Sequence, residues 1–387
     1  MKRRTFLKSS AATAAGAMVV PTIIPSHVMG KNAPSNKIRI GQIGFGRIAR
    51  SHDLPETLRH NSTIGVAVAD VDLNRARMGK EWIEKFHLDR GKSAVDVAVY
   101  QDYREMLQDK SIDAVIISTP DHWHAQPAME TALAGKDIYL QKPASLTIAE
   151  GRQMSDIVHR TGVIFQQGSQ QRGTVPWPHF HKACTLVRNG RVGELQKIEI
   201  GLPGDPGGDE EVPMPVPENL DYDLWLGSTP FKYYTEKRVH PHLDFSRPGW
   251  LRCEQFGAGM ITGWGAHHLD TAHWAMGTEY TGPVEVEAEA SFPASGLWNV
   301  HGDFMVHAKY ANGVTMQVSG DFPNGVKFYG SEGWIFVSRG SVAVTSSDPT
   351  AGDAQLKALD ASDPKLLEPL RDPNRIQLYK APEQHED

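Results

Sequence analysis

Two spacings of apolar residues take turns along the first half of this chain. Lys37-Ile38-Arg39-Ile40-Gly41-Gln42-Ile43 is a short β-rich run ending in glycines, which predicts a buried strand entering a turn. Helical spacing follows over Ile48 to Arg59. Thr63 to Ala69 alternates small and β-branched residues as a second strand and stops at Asp70. Further helices are predicted over Asn74 to Phe86, Tyr103 to Gln108, Gln126 to Ala134 with Gly135 as a C-cap, and Thr147 to Arg160. Strands are predicted over Ile112 to Ser118, ended by Thr119-Pro120, over Asp137 to Leu140 and over Val163 to Gln166. Strands alternating with helices imply a parallel doubly wound sheet, because parallel strands need crossovers.

The pattern then changes. Gly201 to Pro217 is rich in Gly and Pro and reads as a long ordered loop. Pro283 to Tyr310 and Val314 to Val337 hold strand-like segments interrupted by Asn312-Gly313 and Asn324-Gly325, and Asn-Gly between apolar alternations signals a hairpin. This half predicts an α+β domain with an open, mostly antiparallel sheet. Ser346 to Asp387 is polar and lacks periodicity. The expected organisation is a leader over 1–30, a Rossmann domain over 37–166, a substrate domain over 167–345 and a polar C-terminal segment over 346–387.

The leader has its own chemistry. Lys2-Arg3-Arg4-Thr5-Phe6-Leu7-Lys8 precedes an Ala-rich apolar run that reaches Ile24 but is broken by Thr13, Gly16 and Pro21, too short for a membrane span. Paired arginines before such a run read as a twin-arginine export signal, with cleavage near Gly30 and a periplasmic or otherwise exported mature protein. A net charge of −6 and no dense basic stretch beyond the leader argue against a nucleic-acid partner, and no later segment is apolar enough for a membrane. Two cysteines, Cys184 and Cys253, cannot form a disulfide framework and read as free thiols.

Gly44-Phe45-Gly46-Arg47-Ile48-Ala49 is G-x-G-x-x-A between a strand and a helix. The first glycine makes the turn, the second lets backbone approach a pyrophosphate, and the small Ala lets helix pack on strand. The pyrophosphate then sits at the helix N-terminus. Asp70 ends the next strand 21 residues past Ala49 and is placed to accept from the adenosine ribose hydroxyls. Its charge would repel a 2′-phosphate, which favours NAD over NADP, although Arg75 is close by. No nicotinamide pool exists outside the cytoplasm, so an exported protein must keep its cofactor bound.

Asp121-His122-Trp123-His124 and Gly135-Lys136-Asp137-Ile138-Tyr139-Leu140-Gln141-Lys142-Pro143 carry a family resemblance. From Ile38 to about Gly333 the chain resembles the glucose–fructose oxidoreductase / inositol dehydrogenase (Gfo/Idh/MocA) family. The hallmark Glu-Lys-Pro of that family reads Gln141-Lys142-Pro143 here. The resemblance implies that Lys142 is the catalytic lysine, that the Lys142–Pro143 bond is a candidate cis peptide, and that Thr119, Pro120, His122 and His124 lie beside the cofactor. A lysine at the carboxyl end of a parallel strand lies where such sheets bind ligands, and partial desolvation lets it take a hydroxyl proton. Gln141 removes the carboxylate that would hold this ammonium charged. Family members also continue past the equivalent of Glu383-Gln384-His385, so a truncated C-terminus is expected.

In Gly257 to Asp270, His267 matches the family's acid/base histidine, but Gly263 stands where its partner aspartate is expected. Asp270, one helical turn on, is a candidate for orienting His267. His179-Phe180-His181, His240-Pro241-His242 and His267/His268 lack the Cys or Glu that would complete a metal set, so no metal is expected. A sugar pocket built from Trp177, His179, Tyr234, Trp264, His268 and Asp270 uses the same residues. The leading expectation is an exported, homo-oligomeric oxidoreductase with tightly bound NAD, acting on a small carbohydrate or keto-sugar. Its rivals are an NAD-dependent glycoside hydrolase or lyase working by oxidation and elimination, and a non-catalytic sugar-binding protein.

Overall fold

The computed structural model describes residues 36–92, 94–173, 176–242, 244–340 and 356–378. The expected leader and much of the C-terminal segment lie outside these residues. The first sheet contains β1 (Ile38–Ile43), β2 (Thr63–Ala69), β3 (Ala98–Tyr100), β4 (Ala114–Ile117), β5 (Asp137–Leu140) and β6 (Phe165–Gln167). All pairs are parallel in the order β3-β2-β1-β4-β5-β6, the doubly wound dinucleotide-binding arrangement. Its strands are apolar on both faces because helices cover both. Ile40, Val68 and Ile116 pack on Leu54, Leu58 and Ile83, while Ala67, Val115 and Ile117 pack on Met106, Ala128 and Met154.

The helix expected over Ile48 to Arg59 is divided. A π-helical turn, Ala49–Asp53, runs into α1 (Leu54–Leu58). Pro55 has no N–H to give to Ser51, and the Leu54 amide reaches back to Ala49 instead. The widened turn ends at Asp53, which becomes buried beside β5. Next come α2 (Leu73–Asp89), α3 (Tyr103–Leu107), α4 (Ala125–Leu133) and α5 (Ile148–Thr161). The Thr147–Glu150 capping box starts α5, and Gly162 at φ 71° ends it.

In the second half α6 (Pro178–Arg188) precedes β7 (Leu195–Gly201). Then follow α7 (Tyr222–Leu226), α8 (Met260–Gly263), α9 (Gly265–Met276), β8 (Glu285–Ala290), β9 (Phe304–Lys309), β10 (Thr315–Ser319), β11 (Gly325–Gly330), β12 (Gly333–Val337) and β13 (Leu359–Ala361). The sheet order is β13-β12-β11-β7-β10-β9-β8, antiparallel except for β7 with β10. One face, with Ile198, Ile200, Met316, Val318 and Phe328, packs on Phe180, Leu186 and Ala272 of α6 and α9. Alternate residues such as Lys197, Glu199 and Lys327 lie on the opposite face.

Two expectations change here. Asn312-Gly313 does turn β9 into β10, with Gly313 at φ 87°. Asn324-Gly325 makes no hairpin, because β10 and β11 flank β7 on opposite sides. The chain crosses the end of β7 so closely that a Cβ on Gly201 would lie 2.0 Å from the Pro323 carbonyl oxygen. The polar C-terminal segment also contributes β13, which pairs with β12. Three residues are too few to show a period.

A segment of the second half lies along the first sheet's rim. Leu73 N–H donates to Asn219 O at 2.9 Å and Asp221 N–H to Val71 O at 3.0 Å. His240 Nε2 meets Asp72 at 3.0 Å, and Phe245 packs edge-on against Phe45 at 5.8 Å. This strap passes beside Asp70, at the adenosine end of the fingerprint.

Candidate active site

Gly44 adopts φ 78°, and a Cβ there would lie 2.9 Å from the Ser118 carbonyl oxygen, so this position needs glycine. Gly46 differs: a Cβ on it would meet no heavy atom within 4 Å. Protein packing does not require its bareness, but close approach by a dinucleotide does, so these residues fit NAD. The Asp70 carboxylate accepts from Phe45 N–H at 2.8 Å and Asp72 N–H at 2.9 Å, and faces the same cleft. Burial raises its pKa. Arg75 is committed elsewhere, donating to Pro241 O at 2.7 Å and Asp244 O at 3.1 Å and lying over the Phe245 ring.

Gly44, Gly46, Arg47, Ile48, Asp70, Thr119, Pro120, His124, Lys142, Trp264 and His267 line one cleft between the two sheets. Phe45 lies just behind it in the core. The Lys142–Pro143 bond is cis. Lys142 Nζ donates to Gly263 O at 2.8 Å, so a backbone carbonyl holds the ammonium where the usual aspartate is missing. Burial lowers the Lys142 pKa, Arg339, Arg247 and Arg47 push the same way, and Asp121 opposes. Asp121 is itself buried at the cleft wall, and desolvation raises its pKa while Lys142 pulls it down. The two form a pair in which neither holds its ordinary charge firmly.

Gln141 has a carboxylate behind it. Its amide donates to Asp53 Oδ1 at 2.7 Å, and Ser118 Oγ donates to Asp53 Oδ2 at 2.6 Å. Burial lifts Asp53 to about 6. The sequence-based expectation that Gln141 leaves Lys142 without a carboxylate is thus corrected twice, by Asp53 behind Gln141 and by Asp121 at the cleft wall.

His267 is buried, and its Nδ1 donates to Ser169 O at 2.8 Å. A carbonyl only accepts, so the proton sits on Nδ1 and Nε2 carries the lone pair. Burial, then Arg339 and Lys142, hold its pKa well below the ordinary value, so the ring is neutral. Asp270 does not orient it. That carboxylate takes Arg172 in two parallel bonds of 2.8 and 2.7 Å.

Other candidates are held by hydrogen bonds within the protein. His122 points away from the cleft, bonding Trp225 O at 2.8 Å and packing on Phe256. His124 lies between the Thr119 and Pro143 carbonyls, and burial lowers its pKa to about 4, so it clamps the cis-proline turn as a neutral ring. His179 bonds Ser338 O at 2.7 Å, His268 bonds Asn324 Oδ1 at 2.8 Å, and Tyr234 bonds His242. Trp177 reaches the cleft only through Arg339, whose guanidinium lies 4.1 Å from its ring and 4.7 Å from that of Trp264. Cys184 and Cys253 are both free and buried. Among the described residues no three His, Cys, Asp or Glu side chains converge, and no helix is long and apolar enough to cross a membrane.

Sequence reading missed Asp53, Asp121, Arg247 and Arg339. Asp121 stood inside the quoted Asp-His-Trp-His run, and Arg339 lies two residues past the apolar strand β12. Asp53 had no local signal, since only the π-turn aims it at Gln141.

Residues 38–169 match the family model for the NAD-binding Rossmann fold of the Gfo/Idh/MocA oxidoreductases, and residues 206–343 match that for the family's C-terminal alpha/beta domain. An uncharacterized oxidoreductase, YrbE of Bacillus subtilis (strain 168), is 26% identical over 319 residues, covering 82% of this chain and 76% of that protein. A glycosyl hydrolase family 109 protein of Shewanella baltica (strain OS185) is 32% identical over 208 residues, but the match spans 50% of this chain and 44% of the relative. Among solved structures, an aldose-aldose oxidoreductase from Caulobacter crescentus complexed with glycerol superposes with a TM-score of 0.56 at 17% identity, covering 84% of this chain and 80% of that one. The WlbA dehydrogenase from Bordetella pertussis, in complex with NADH and UDP-GlcNAcA, gives 0.55 at 16% identity and 78% of each chain. At these identities the structural likeness speaks for the fold.

Proposed function

Because the chain belongs to the Gfo/Idh/MocA oxidoreductase family and carries its NAD-binding Rossmann domain, we propose that it interconverts a hydroxyl-bearing carbon of a carbohydrate with the matching keto-sugar. The observation that carries this reading is Lys142, desolvated at the cleft wall beside the fingerprint glycines and tethered to Gly263 O. NAD, when bound, supplies the hydride acceptor. Lys142 takes the hydroxyl proton as the C–H bond breaks. His267, neutral, accepts a hydrogen bond through Nε2 and orients the sugar. Trp264 offers an apolar ring to sugar C–H groups.

The paired arginines of the leader support export, and the strap beside Asp70 supports retention of NAD on the way. Replacing Arg3 and Arg4 with lysine should leave the protein in the cytoplasm, and undiminished export of that variant would overturn this part. The exposed strand β8 supports assembly as a homo-oligomer, which light scattering tests. The central test is release of the cofactor. Denaturing the purified mature protein should yield stoichiometric NAD(H), and sugar alone should drive one reduction that a keto-sugar then reverses.

Oxidation with elimination is the second reading, supported by Asp121 as an additional base in the cleft and by the family 109 relatives. Here a transient ketone acidifies the neighbouring C–H, a cleft base removes that proton, the aglycone departs, water adds across the resulting double bond and returns a proton to that carbon, and hydride then reduces the ketone. Many turnovers on a lone glycoside in heavy water, with deuterium in the product, would select it.

A further inference from the structure

The guanidinium of Arg339 is a second chemical group in the cleft, separate from the proton-transfer pair. Arg339 lies two residues past β12 and is buried to 7% exposure. It lines the cleft with Lys142 and His267, and lies against the rings of Trp177 and Trp264 at 4.1 and 4.7 Å. Gln170, the cleft residue held at φ 60°, accepts from its Nη2 at 3.3 Å. Both tryptophans are themselves buried, so the arginine is fixed by packing.

A neutral hexose gives little reason to build such a group into its pocket. Sugar hydroxyls and ring C–H groups are served by Trp264, His267 and Lys142, while a desolvated cation is costly. At the substrate end of the cleft, among the described residues, Arg47, Lys142, Arg247 and Arg339 line the wall with Asp121, while Asp53 lies behind Gln141 and Asp205 beside Arg247, and burial raises the pKa of all three acids. Asp70 lies at the far, adenosine end. The field there favours an anion.

We propose that the substrate is an acidic sugar, a hydroxy-carboxylate such as a glycuronate, and that Arg339 binds its carboxylate. A guanidinium donates only in its own plane, through a rigid fork of N–H groups. A carboxylate is planar and offers two oxygens to that fork; a phosphate can pair with it in the same way, and the hexose phosphate in the titration below separates the two. The tryptophan rings fix the plane of the fork, and Arg247 adds long-range attraction. This inference rests on reading the cleft as a substrate site, and it gives that site a specificity the proposed reaction alone does not.

The test uses the full protein with its bound cofactor and follows tryptophan fluorescence during titration with a methyl hexosiduronic acid, its methyl ester, the neutral methyl hexoside and a hexose phosphate. The acid should bind about 10–100-fold more tightly than the ester or the neutral sugar, the range expected of a charge-assisted pair. Arg339→Lys, which keeps charge but loses the fork, should remove most of that preference. Equal affinity for acid and ester, tighter binding of the phosphate, or a full preference in the variant would each overturn the proposal. The wild-type comparison of acid with ester decides the matter even if the variant does not fold. The two readings also fail differently. Acid binding without any change in nicotinamide absorbance leaves the carboxylate site standing and removes the oxidoreductase reading. Turnover confined to neutral sugars does the reverse.

Discussion

The Gln141 side-chain amide donates to the Asp53 carboxylate at 2.7 Å, while its carbonyl oxygen accepts from the Lys142 N–H at 3.1 Å. One glutamine therefore ties a buried acid on a π-helical turn to the backbone of the lysine just past the carboxyl end of β5. Lys142 is positioned from behind by Asp53 and from the front by Gly263.

This arrangement has a pH signature. Burial raises Asp53 from 3.8 to about 6, so its protonated form is favoured in the folded state and its contribution to stability is lost as pH rises through that range. Asp53→Asn keeps a group of the same shape that stays neutral. Between pH 3 and pH 8 the variant should gain on wild type by up to about 3 kcal/mol in unfolding free energy. A difference that stays flat across denaturant melts would show that Asp53 is not buried as an acid.

Lys142→Met should lower turnover about 10²–10⁴-fold, the usual worth of general-base catalysis. Bound NAD should remain stoichiometric, because the glycine turn and Asp70 are untouched. Loss of nucleotide along with activity would place Lys142 in cofactor binding instead.

Asp121 opposes the lowering of the Lys142 pKa, so removing its charge must drive that pKa further down. Activity as proton acceptor rises with pH through the Lys142 pKa. In Asp121→Asn the alkaline-rising limb of log kcat/KM should therefore move to lower pH. Movement upward, or no movement, would show that the two groups do not share their titration.

Gly46→Ala separates ligand from fold. The added Cβ meets no protein atom within 4 Å, so melting of the nucleotide-free protein should change by less than about 0.5 kcal/mol. Nucleotide content after purification should fall sharply. A destabilised protein that still carries full NAD would contradict the role given to this glycine.

Much of the first sheet was legible because its signals are local. Thr63–Ala69 and Asp137–Leu140 were bounded by pattern alone, and the fingerprint needed only neighbouring strand and helix. The second sheet was legible in type but not in order: apolar alternation marks Thr315–Ser319 and Gly325–Gly330 as strands, yet nothing in it says that Leu195–Gly201 lies between them. At the site, Lys142 and His267 followed from motif and resemblance. Asp53 and Arg339 did not, because each acquires its role from a residue distant in sequence, Gln141 in one case and the Trp177 and Trp264 rings in the other. Asp270 misled for the complementary reason. Helical spacing placed it near His267, but Arg172 offered a better-matched charge.

The place of β7 has a consequence for synthesis. Its hydrogen bonds on both edges go to strands made much later, Thr315–Ser319 on one side and Gly325–Gly330 on the other. The Rossmann half can close on the ribosome as soon as Gln167 has emerged, since each of its strands pairs within that stretch. β7 must wait with both edges bare until nearly the whole chain is out, and such non-local pairing is intrinsically slow. A translocation route that accepts only finished proteins would have to wait for β7, and in that interval the early-formed nucleotide half would stand open to the cytoplasmic pool.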